Sequence, residues 1–435
     1  MRCFRAATFL AILAAIAASA NAQSSFNVKN PPYNAAGDGI TDDTAALRAA
    51  ITAASVKGGE IMVPAGTYLV SGTLAVTSPG VTLVGEGPGA SVLRTNQATG
   101  DVVSFGNVAN RFSPCGGLRG LGFQSSVART AGAALTVDGC QMGQFQNLLL
   151  QTNGGDGIHL CPSSSTSLCS VLFFSDIQIN IAGAFNGILV QGGNDRYFRA
   201  VHIGITTPWI TGSRGINLQM SGGDWFTDVT ASQFQYGVLI NPGPNQGVAW
   251  LHMINVLADQ SAQGFRITAS PGAWIYGLTI QAPWATGSTN PNSTNNRGIY
   301  INAGQGILIE NPRVVNSGGH GIEIAGGTSI KIIGGFITNS SYANPGNYDA
   351  INVNSGASNF QIIGVSAGCA GLCGYPPYTR YGLSIGAGSN NFLVQGNDFT
   401  SNLAGDVLVT PGASATRRFI GNMPYNKALE QASSP

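Results

Sequence analysis

The amino-acid sequence predicts an all-β protein, a right-handed parallel β-helix with a short N-terminal capping helix. Three observations support this fold class: a short phrase that repeats along the chain, a hydrophobic content of 43%, and a charged content of only 9%. Repeats with a fixed period build solenoids, in which each unit buries its apolar side against its neighbours. The 435 residues are therefore expected to form one main domain.

The repeated phrase is a glycine followed by an apolar residue, any residue and a second apolar residue. It occurs at Gly157–Leu160, Gly187–Val190, Gly215–Leu218, Gly237–Ile240, Gly264–Ile267, Gly298–Ile301, Gly321–Ile324 and Gly382–Ile385, with degenerate copies at Ile351–Val353 and Val407–Val409. Stacked coils would bury the alternating apolar residues in one continuous interior. A β-sandwich is the alternative, but it needs hairpin turns every 8 to 12 residues or so and no fixed long period.

An N-terminal motif precedes the repeats. It consists of Gly37-Asp38-Gly39, Thr41-Asp42-Asp43-Thr44, Gly58-Gly59, Pro64, Gly66 and Tyr68. Between its parts, Leu47 and Ile51 are spaced for one face of a helix. The motif resembles that of the pectate-lyase-like β-helix superfamily, which includes rhamnogalacturonase-type and polygalacturonase-like hydrolases, lyases, epimerases and phage tailspikes. The resemblance implies the fold and a helical lid, and it leaves the reaction open.

The chain ends are expected to lie outside the main domain. Arg2 and Arg5, an apolar run and Ala20-Asn21-Ala22 predict a signal peptide over residues 1–22. The β-helix domain is predicted over residues 23–412, and residues 413–435 are predicted to be a C-terminal tail. The apolar run is shorter than the roughly 20 residues that span a bilayer, so a secreted or periplasmic protein without a membrane span is expected.

The charge distribution limits the partners. The formal net charge is +1, and no dense basic field is available for nucleic acid. A polysaccharide is therefore the expected partner, and the oligomeric state stays open.

Six cysteines remain after Cys3 leaves with the signal peptide. The expected disulfide pairs are Cys115–Cys140, Cys161–Cys169 and Cys369–Cys373. Metal binding is the alternative, but no histidine accompanies these pairs at ligand spacing. No run of acidic residues resembles a calcium cage, so neither a metal nor another cofactor is predicted.

Insertions lengthen the repeat just before its glycine, and they are expected to project from one side of the cylinder. They span Thr206–Arg214, Gln281–Arg297, Asn339–Asp349 and Ala367–Arg380, and they contain Trp209, Trp284, Tyr342, Tyr348, Tyr375 and Tyr378. Aromatic rings beside amides and hydroxyls suit a sugar-binding cleft, with Trp284 as a predicted substrate-binding residue. The alternative is that these rings anchor only their own loops.

The scarce carboxylates give the predicted catalytic site. Aligning the segment from Asp195 with the segment from Asp224 places these two aspartates on adjacent coils, with Asp228 a strand's length further on. Paired carboxylates are the groups that glycoside hydrolysis requires. The predicted substrate-binding residues Arg199, His252 and Trp225 lie on the same or the next coil, with Arg199, Thr227 and His252 in one outward row. Turn formation by the aspartates is the alternative.

The sequence therefore predicts a glycoside hydrolase that cleaves a polymeric glycan, and it leaves open which sugars the glycan contains, uronic acids among them. A polysaccharide lyase or epimerase, with Arg199 or His252 as the base, is the first alternative. A non-catalytic glycan-binding or scaffold protein is the second. Gly319-His320-Gly321 resembles the histidine motif of polygalacturonases, which makes His320 a further candidate, although that family's other active-site motifs are missing.

Overall fold

The structure is a computed structural model that describes residues 25–106, 113–163, 169–287, 296–368, 377–410 and 416–431. It is nearly all β, a parallel β-helix of about 13 coils, which confirms the predicted fold class. The predicted signal peptide, the Cys369–Cys373 pair and Tyr375 lie outside the described residues. Within those residues, no helix is long and apolar enough to cross a membrane.

The elements follow one another around the coils in a regular order. The first are β1 Ser25–Asn27, β2 Asp38–Asp42, α1 Thr44–Ala54, β3 Gly59–Val63, β4 Gly66–Val70, β5 Leu74–Val76, β6 Val81–Gly85, β7 Ser91–Thr95, β8 Val103–Phe105, β9 Gly116–Ser125, β10 Ala133–Val137, β11 Gly143–Gln151 and β12 Asp156–Leu160. The central ones are β13 Phe173–Ile181, β14 Asn186–Asn194, β15 Tyr197–Ile205, β16 Arg214–Gly222, β17 Trp225–Ser232, β18 Tyr236–Ile240, β19 Gly247–Ala249, β20 His252–Ile254, β21 Leu257–Ser261, β22 Gln263–Ile267, β23 Trp274–Gln281 and β24 Trp284–Gly287. The last are β25 Ile299–Ile301, β26 Gln305–Glu310, β27 Arg313–Val315, β28 Ile322–Ile324, β29 Thr328–Ile333, β30 Phe336–Thr338, β31 Ile351–Val353, β32 Ser358–Ile363, β33 Ser366–Ala367, β34 Tyr381–Ile385, β35 Asn390–Gln395, β36 Gly405–Val409, β37 Arg417–Ile420 and α2 Lys427–Gln431.

The strands stack into three long parallel ladders. Ladder A holds the repeated phrase and runs through β5, β8, β10, β12, β14, β16, β18, β22, β25, β28, β31, β34 and β36. Ladder B runs through β2, β4, β7, the second halves of β9, β11, β13, β15 and β17, and then β21, β24, β27, β30 and β33. Ladder C runs through β1, β3, β6, the first halves of β9, β11, β13, β15 and β17, and then β20, β23, β26, β29, β32, β35 and β37. Each full coil thus presents three faces.

Close packing between coils explains why the repeated phrase begins with glycine. A Cβ atom on Gly187 would lie 2.2 Å from Cγ2 of Ile203 and 2.7 Å from the carbonyl oxygen of Gly215 on the next coil. The chain therefore enters ladder A through a passage that has no room for a side chain. Close approach between coils, and not turn geometry, fixes the glycine.

The corner between ladders C and B adopts a left-handed backbone on successive coils. Asn147, Asp176, Asp228, Asn255 and Asn311 occupy it with φ between 48° and 57°, and Ala200 and Ala282 occupy it on two intervening coils with φ of 53° and 49°. Asn and Asp tolerate this conformation better than other residues that carry a side chain. The corner therefore explains much of the placement of Asn and Asp along the sequence.

The interior is a continuous apolar column. Behind ladder C, the rings of Phe145, Phe174, Phe198 and Phe226 stack with centroids 4.9, 4.7 and 4.5 Å apart. Each is at most 1% exposed. The predicted burial of alternating apolar residues is confirmed.

The N-terminal motif builds the cap of the solenoid. Helix α1 buries Leu47 and Ile51. The buried carboxylate of Asp43 accepts hydrogen bonds from the backbone N–H groups of Ala36 at 2.6 Å and Gly37 at 3.0 Å. The motif therefore has a structural part, and the predicted capping helix is confirmed.

Two of the predicted disulfides are present. Cys115–Cys140 joins residues whose Cα atoms are 5.2 Å apart, and Cys161–Cys169 joins residues 6.1 Å apart. Disulfides are typical of exported proteins. At the other end, β37 pairs with β35, so the solenoid continues into the stretch that the sequence assigned to a tail.

Candidate functional site

The predicted alignment of the central carboxylates is wrong by one residue. Tyr197 pairs with Trp225, so Asp195 lies level with Gly223 and not with Asp224. Both Asp195 and Gly223 form left-handed bends, with φ of 54° and 66°. A shift of one residue sends a side chain to the opposite face of a strand. Asp195 therefore reaches solvent, whereas Asp224 is buried.

The outward row predicted beside these carboxylates is only partly formed. Arg199 and Thr227 are in register, as predicted. The next residue in that row is Ile254, and His252 instead pairs with Trp225. The predicted place of His252 in this row is wrong for the same reason, a register shift.

Asp224 is enclosed by hydrogen-bond donors. Its Oδ1 accepts bonds from the backbone N–H and Nε of Arg196, both at 3.0 Å. Its Oδ2 accepts bonds from Nη2 of Arg196 at 2.6 Å and from the hydroxyl of Ser221 at 2.5 Å. Both side chains of the ion pair are 0% exposed. The catalytic role of Asp224 stays a prediction, and these contacts favour a structural role.

The other two predicted catalytic carboxylates are exposed at corners. Asp195 accepts a hydrogen bond from Nδ2 of Asn194 at 2.6 Å, and Asp228 accepts one from Nδ2 of Asn255 at 2.7 Å. Each bends the backbone on one side of ladder C. Their catalytic roles stay predictions, since the bends alone account for Asp at both positions.

Trp284 lies in a strand and not in an insert loop. It begins β24 in ladder B, half-buried, in register with Leu257 and Arg313. The insertions otherwise fall where the sequence placed them, between ladders B and A. Two of their rings, Tyr342 and Tyr378, meet edge to face at 5.4 Å. The part of Trp284 in sugar binding stays a prediction.

Ladder A forms the floor of a groove. Leu189, Asn217, Leu239 and Glu323 occupy the alternate positions that point away from the core, yet they are only 2% to 7% exposed. Neighbouring parts of the chain therefore cover most of this row. A concave, mostly covered floor with convergent polar groups is the usual form of a ligand site.

Two ion pairs lie along the downstream half of this groove. Arg297 pairs with Glu323, which also accepts a hydrogen bond from Nδ2 of Asn354 at 3.0 Å. Arg380 donates two hydrogen bonds to the carboxylate of Asp349, at 2.8 and 2.7 Å. Asp349 is 0% exposed and Glu323 is 6% exposed at the side chain. Neither carboxylate is therefore free to act as a solvent-facing acid or base.

His320 lies between these ion pairs. Its Nδ1 accepts the backbone N–H of Asp349 at 3.0 Å, so the neutral ring carries its proton on Nε2. Burial lowers the pKa of His320, although the carboxylates of Asp349 and Glu323 act in the opposite direction. Tyr348 packs edge to face against the ring at 5.1 Å. His320 is thus held as a neutral hydrogen-bond donor.

Tyr300 completes the arrangement. It is half-buried, and its ring lies 4.9 Å from the guanidinium carbon of Arg266 and 4.8 Å from that of Arg297. Arg266 donates to the side-chain oxygen of Gln263 at 2.9 Å and has no carboxylate partner within the described ranges. We refer to the following residues together as the groove cluster: Arg266, Arg297, Tyr300, His320, Glu323, Asp349 and Arg380.

A separate carboxyl group lies further upstream on the same floor. Oδ1 of Asp156 accepts two hydrogen bonds of 2.8 Å from Asn186. Burial raises the pKa of Asp156, with the bonds from Asn186 and the charges of His159 and Arg214 opposing it. Such a group can hold a proton at a higher pH than an ordinary aspartate.

Sequence reasoning identified only His320 among the groove cluster. Five of the six missed residues stand at fixed places in the repeat, two residues before its first apolar position or one residue after it, and Arg380 stands three residues before it. Superposing the copies of the phrase would have brought these charges together. In the part of the chain that the structure describes, no group of three or more His, Cys, Asp or Glu side chains is placed to hold a metal ion. The sequence prediction concerning metals stays untested.

Comparison with known families gives a match over the N-terminal half. The family described as rhamnogalacturonase A/epimerase, pectate lyase-like, matches residues 25–266. Mannuronan C5-epimerase AlgE1 of Azotobacter vinelandii is 41% identical over an alignment of 101 residues, which covers 20% of this chain and 7% of that protein. AlgE4 of the same organism is 34% identical over an alignment of 145 residues, which covers 30% of this chain and 23% of that protein. The matches thus span a small part of these relatives.

Solved structures share the fold over most of the chain. The A-module of Azotobacter vinelandii AlgE4 superposes with a TM-score of 0.52 at 16% identity, covering 89% of this chain and 99% of the module. Tailspike protein 3 of bacteriophage CBA120 gives a TM-score of 0.61 at 13% identity, covering 92% of this chain and 62% of the tailspike. Likeness at this identity shows the architecture alone.

Proposed function

This chain belongs to the rhamnogalacturonase A/epimerase, pectate lyase-like family, and we propose that it acts on a uronic-acid-containing polysaccharide by proton transfer beside the uronate carboxylate. The main support for this proposal is the charge balance of the groove cluster. It has three arginines for two carboxylates, and both carboxylates are already held in ion pairs. The surplus cation favours binding of an anionic sugar over hydrolysis by two free carboxylates.

The proposed chemistry needs three kinds of group. Removing the proton next to a carboxylate places negative charge on that carboxylate, which a cation must stabilise. Arg266 supplies the cation, since no described carboxylate competes for it. The phenolate form of Tyr300, beside the guanidinium groups of Arg266 and Arg297, accepts the proton and becomes the phenol, while Nε2–H of His320 donates a hydrogen bond to a substrate oxygen.

Two products follow from the same first step. Return of a proton from water to the opposite face of the carbon inverts it and gives an epimer. Loss of the sugar linked through the neighbouring oxygen breaks the carbon–oxygen bond and leaves a double bond, the departing oxygen takes the proton from the phenol of Tyr300, and a lyase product results. The similarity to proteins named mannuronan C5-epimerases supports the first outcome.

The test is incubation with mannuronan and polygalacturonate in D₂O. Proton NMR reports deuterium gained at the uronate carbon, absorbance of the unsaturated uronate reports elimination, and new reducing ends without that absorbance report hydrolysis. Tyr300→Phe should lower turnover by about 10² to 10⁴. Tyr276→Phe is the matched control, because Tyr276 is exposed on another face. Wild-type turnover by Tyr300→Phe would rule out the proposed proton carrier.

Hydrolysis is the second candidate, and the raised pKa of Asp156 favours it. A carboxyl group that keeps its proton can protonate a glycosidic oxygen. In that case new reducing ends should form without deuterium exchange, and Asp156→Asn should abolish them while Tyr300→Phe does not.

A further inference from the structure

A line of aromatic side chains runs along ladder C, on a different face from the groove. Phe173, Tyr197, Trp225 and His252 are in register on β13, β15, β17 and β20. The first three are 44%, 40% and 36% exposed. These four residues are named the aromatic strip, and no step of the proposed reaction uses them.

The rings of the strip show their edges to solvent. Phe173 and Tyr197 stack with centroids 5.1 Å apart and planes within 8°, and Trp225 and His252 stack at 4.0 Å and 11°. Rings that stack along the coil axis, at about the 4.8 Å spacing of strands, turn their rims outward. Ring edges carry partial positive charge, so they attract oxygen atoms. Stacking also holds the rings in place before any partner binds.

Polar donors accompany these edges. The hydroxyl of Tyr197, the indole N–H of Trp225 and the ring nitrogens of His252 have no hydrogen-bond partner in the described parts of the chain. Arg199, two residues beyond Tyr197 and also exposed, has no carboxylate partner there either. The strip is therefore a line of unused donors beside positive ring edges, which suits an oxygen-rich, anionic partner.

The strip continues into two shallow hollows. One, of about 270 Å³, is lined by Gln144, Gln146, Phe173 and Ser175 among others. The next, of about 320 Å³, shares the two glutamines and reaches the surface pair of Glu60 and Arg119. One row of residues in register runs along ladder C from Glu60 to His252 and crosses eight strands. At the usual strand spacing this row is about 34 Å long. That length accommodates several sugars of an extended polymer.

We propose that the aromatic strip and its hollows are an accessory, non-catalytic binding site for the polysaccharide. The identity of the polymer rests on the proposed function, whereas the site itself does not depend on catalysis. A second copy of the chain is the competing occupant. The exposed rings of Phe173, Tyr197 and Trp225 offer only about 250 Å², far below the roughly 800 Å² that each partner buries in a stable complex.

The test measures polymer binding apart from turnover. Affinity electrophoresis in gels that contain mannuronan or polygalacturonate gives Kd for the wild type and its variants. Trp225→Ala should weaken polymer binding about tenfold, as loss of a central aromatic anchor commonly does. Tyr197→Phe removes only a hydroxyl donor and should weaken binding less, with the fold unchanged. Trp250→Ala is the matched control, because Trp250 is 60% exposed but lies off the strip.

The outcomes separate the two proposals. Both strip variants should keep wild-type kcat and KM on short oligouronates, which reach the groove without the strip. Wild-type affinity in both variants, equal loss in Trp250→Ala, or no wild-type binding to either polymer overturns the accessory site. A change in molar mass on Trp225→Ala without a change in polymer affinity identifies a protein interface and overturns it too. If Trp225→Ala loses polymer binding while even the wild type shows no turnover, the accessory site stands and the proposed function is rejected.

Discussion

Replacing Asp224 by asparagine should unfold part of the solenoid and not merely slow a reaction. Both oxygens of Asp224 accept two bonds, and every donor except Ser221 belongs to Arg196. Either orientation of the substituted side-chain amide turns its NH₂ group toward two of these donors. The guanidinium of Arg196 would then stay buried without a counter-charge. Removing one partner of a buried ion pair commonly costs about 3–5 kcal/mol.

The measurement is equilibrium unfolding in urea, combined with hydrogen exchange of the coils that contain β14 to β17. Asp228→Asn is the matched control, and we expect it to change stability by less than about 0.5 kcal/mol, because Asn suits this exposed left-handed corner. Replacing Arg196 by Met together with Asp224 by Leu should recover much of the loss. If Asp224→Asn unfolds at the wild-type urea concentration while turnover falls 10²-fold or more, Asp224 is catalytic and its ion pair with Arg196 does not hold the coils together.

Three further predictions concern packing, pH and crosslinks. Gly187→Ala should destabilise the protein by about 1–3 kcal/mol through overpacking, whereas Gly89→Ala, with open space around its Cβ position, should be neutral in urea unfolding. The pKa of His320 lies below its usual 6.5 in the folded state, so the unfolded chain binds more protons. The free energy of unfolding should therefore fall as the pH drops through about 6.5 toward the folded pKa. A His320→Gln variant should lose less stability over that pH window. Reduction of the described disulfides should lower the unfolding midpoint while the β circular dichroism at room temperature persists, since stacked coils hold most of the fold; its complete loss would show that the crosslinks hold the stack.

The fold was predictable because its causes are local and repeated. A glycine before alternating apolar residues marks most coils from Gly157 onward, and the spacing of Cys115 and Cys140 is about one coil, which allowed the disulfide to be predicted. The functional site was less accessible. Its arginines and carboxylates lie far apart in sequence and meet only when phrases are superposed in the correct register. Asp195 and Asp224 were paired by residue type, and the real register differs by one position.

By itself, the sequence determined that the chain stacks into a parallel β-helix, where the coils lengthen, and which cysteines could be joined. These properties depend on periodicity and spacing along the chain. Tertiary structure alone decided which polar side chains face the groove, which are buried and which form bends. Asp224 looks like an active-site residue in the sequence, yet it and its partner Arg196 are 0% exposed, while Arg266 and Tyr300 meet at the groove. The physical reason is that successive side chains of a strand point to opposite faces. Whether a charged side chain is buried or faces the groove therefore depends on the register, which is fixed only when the coils stack.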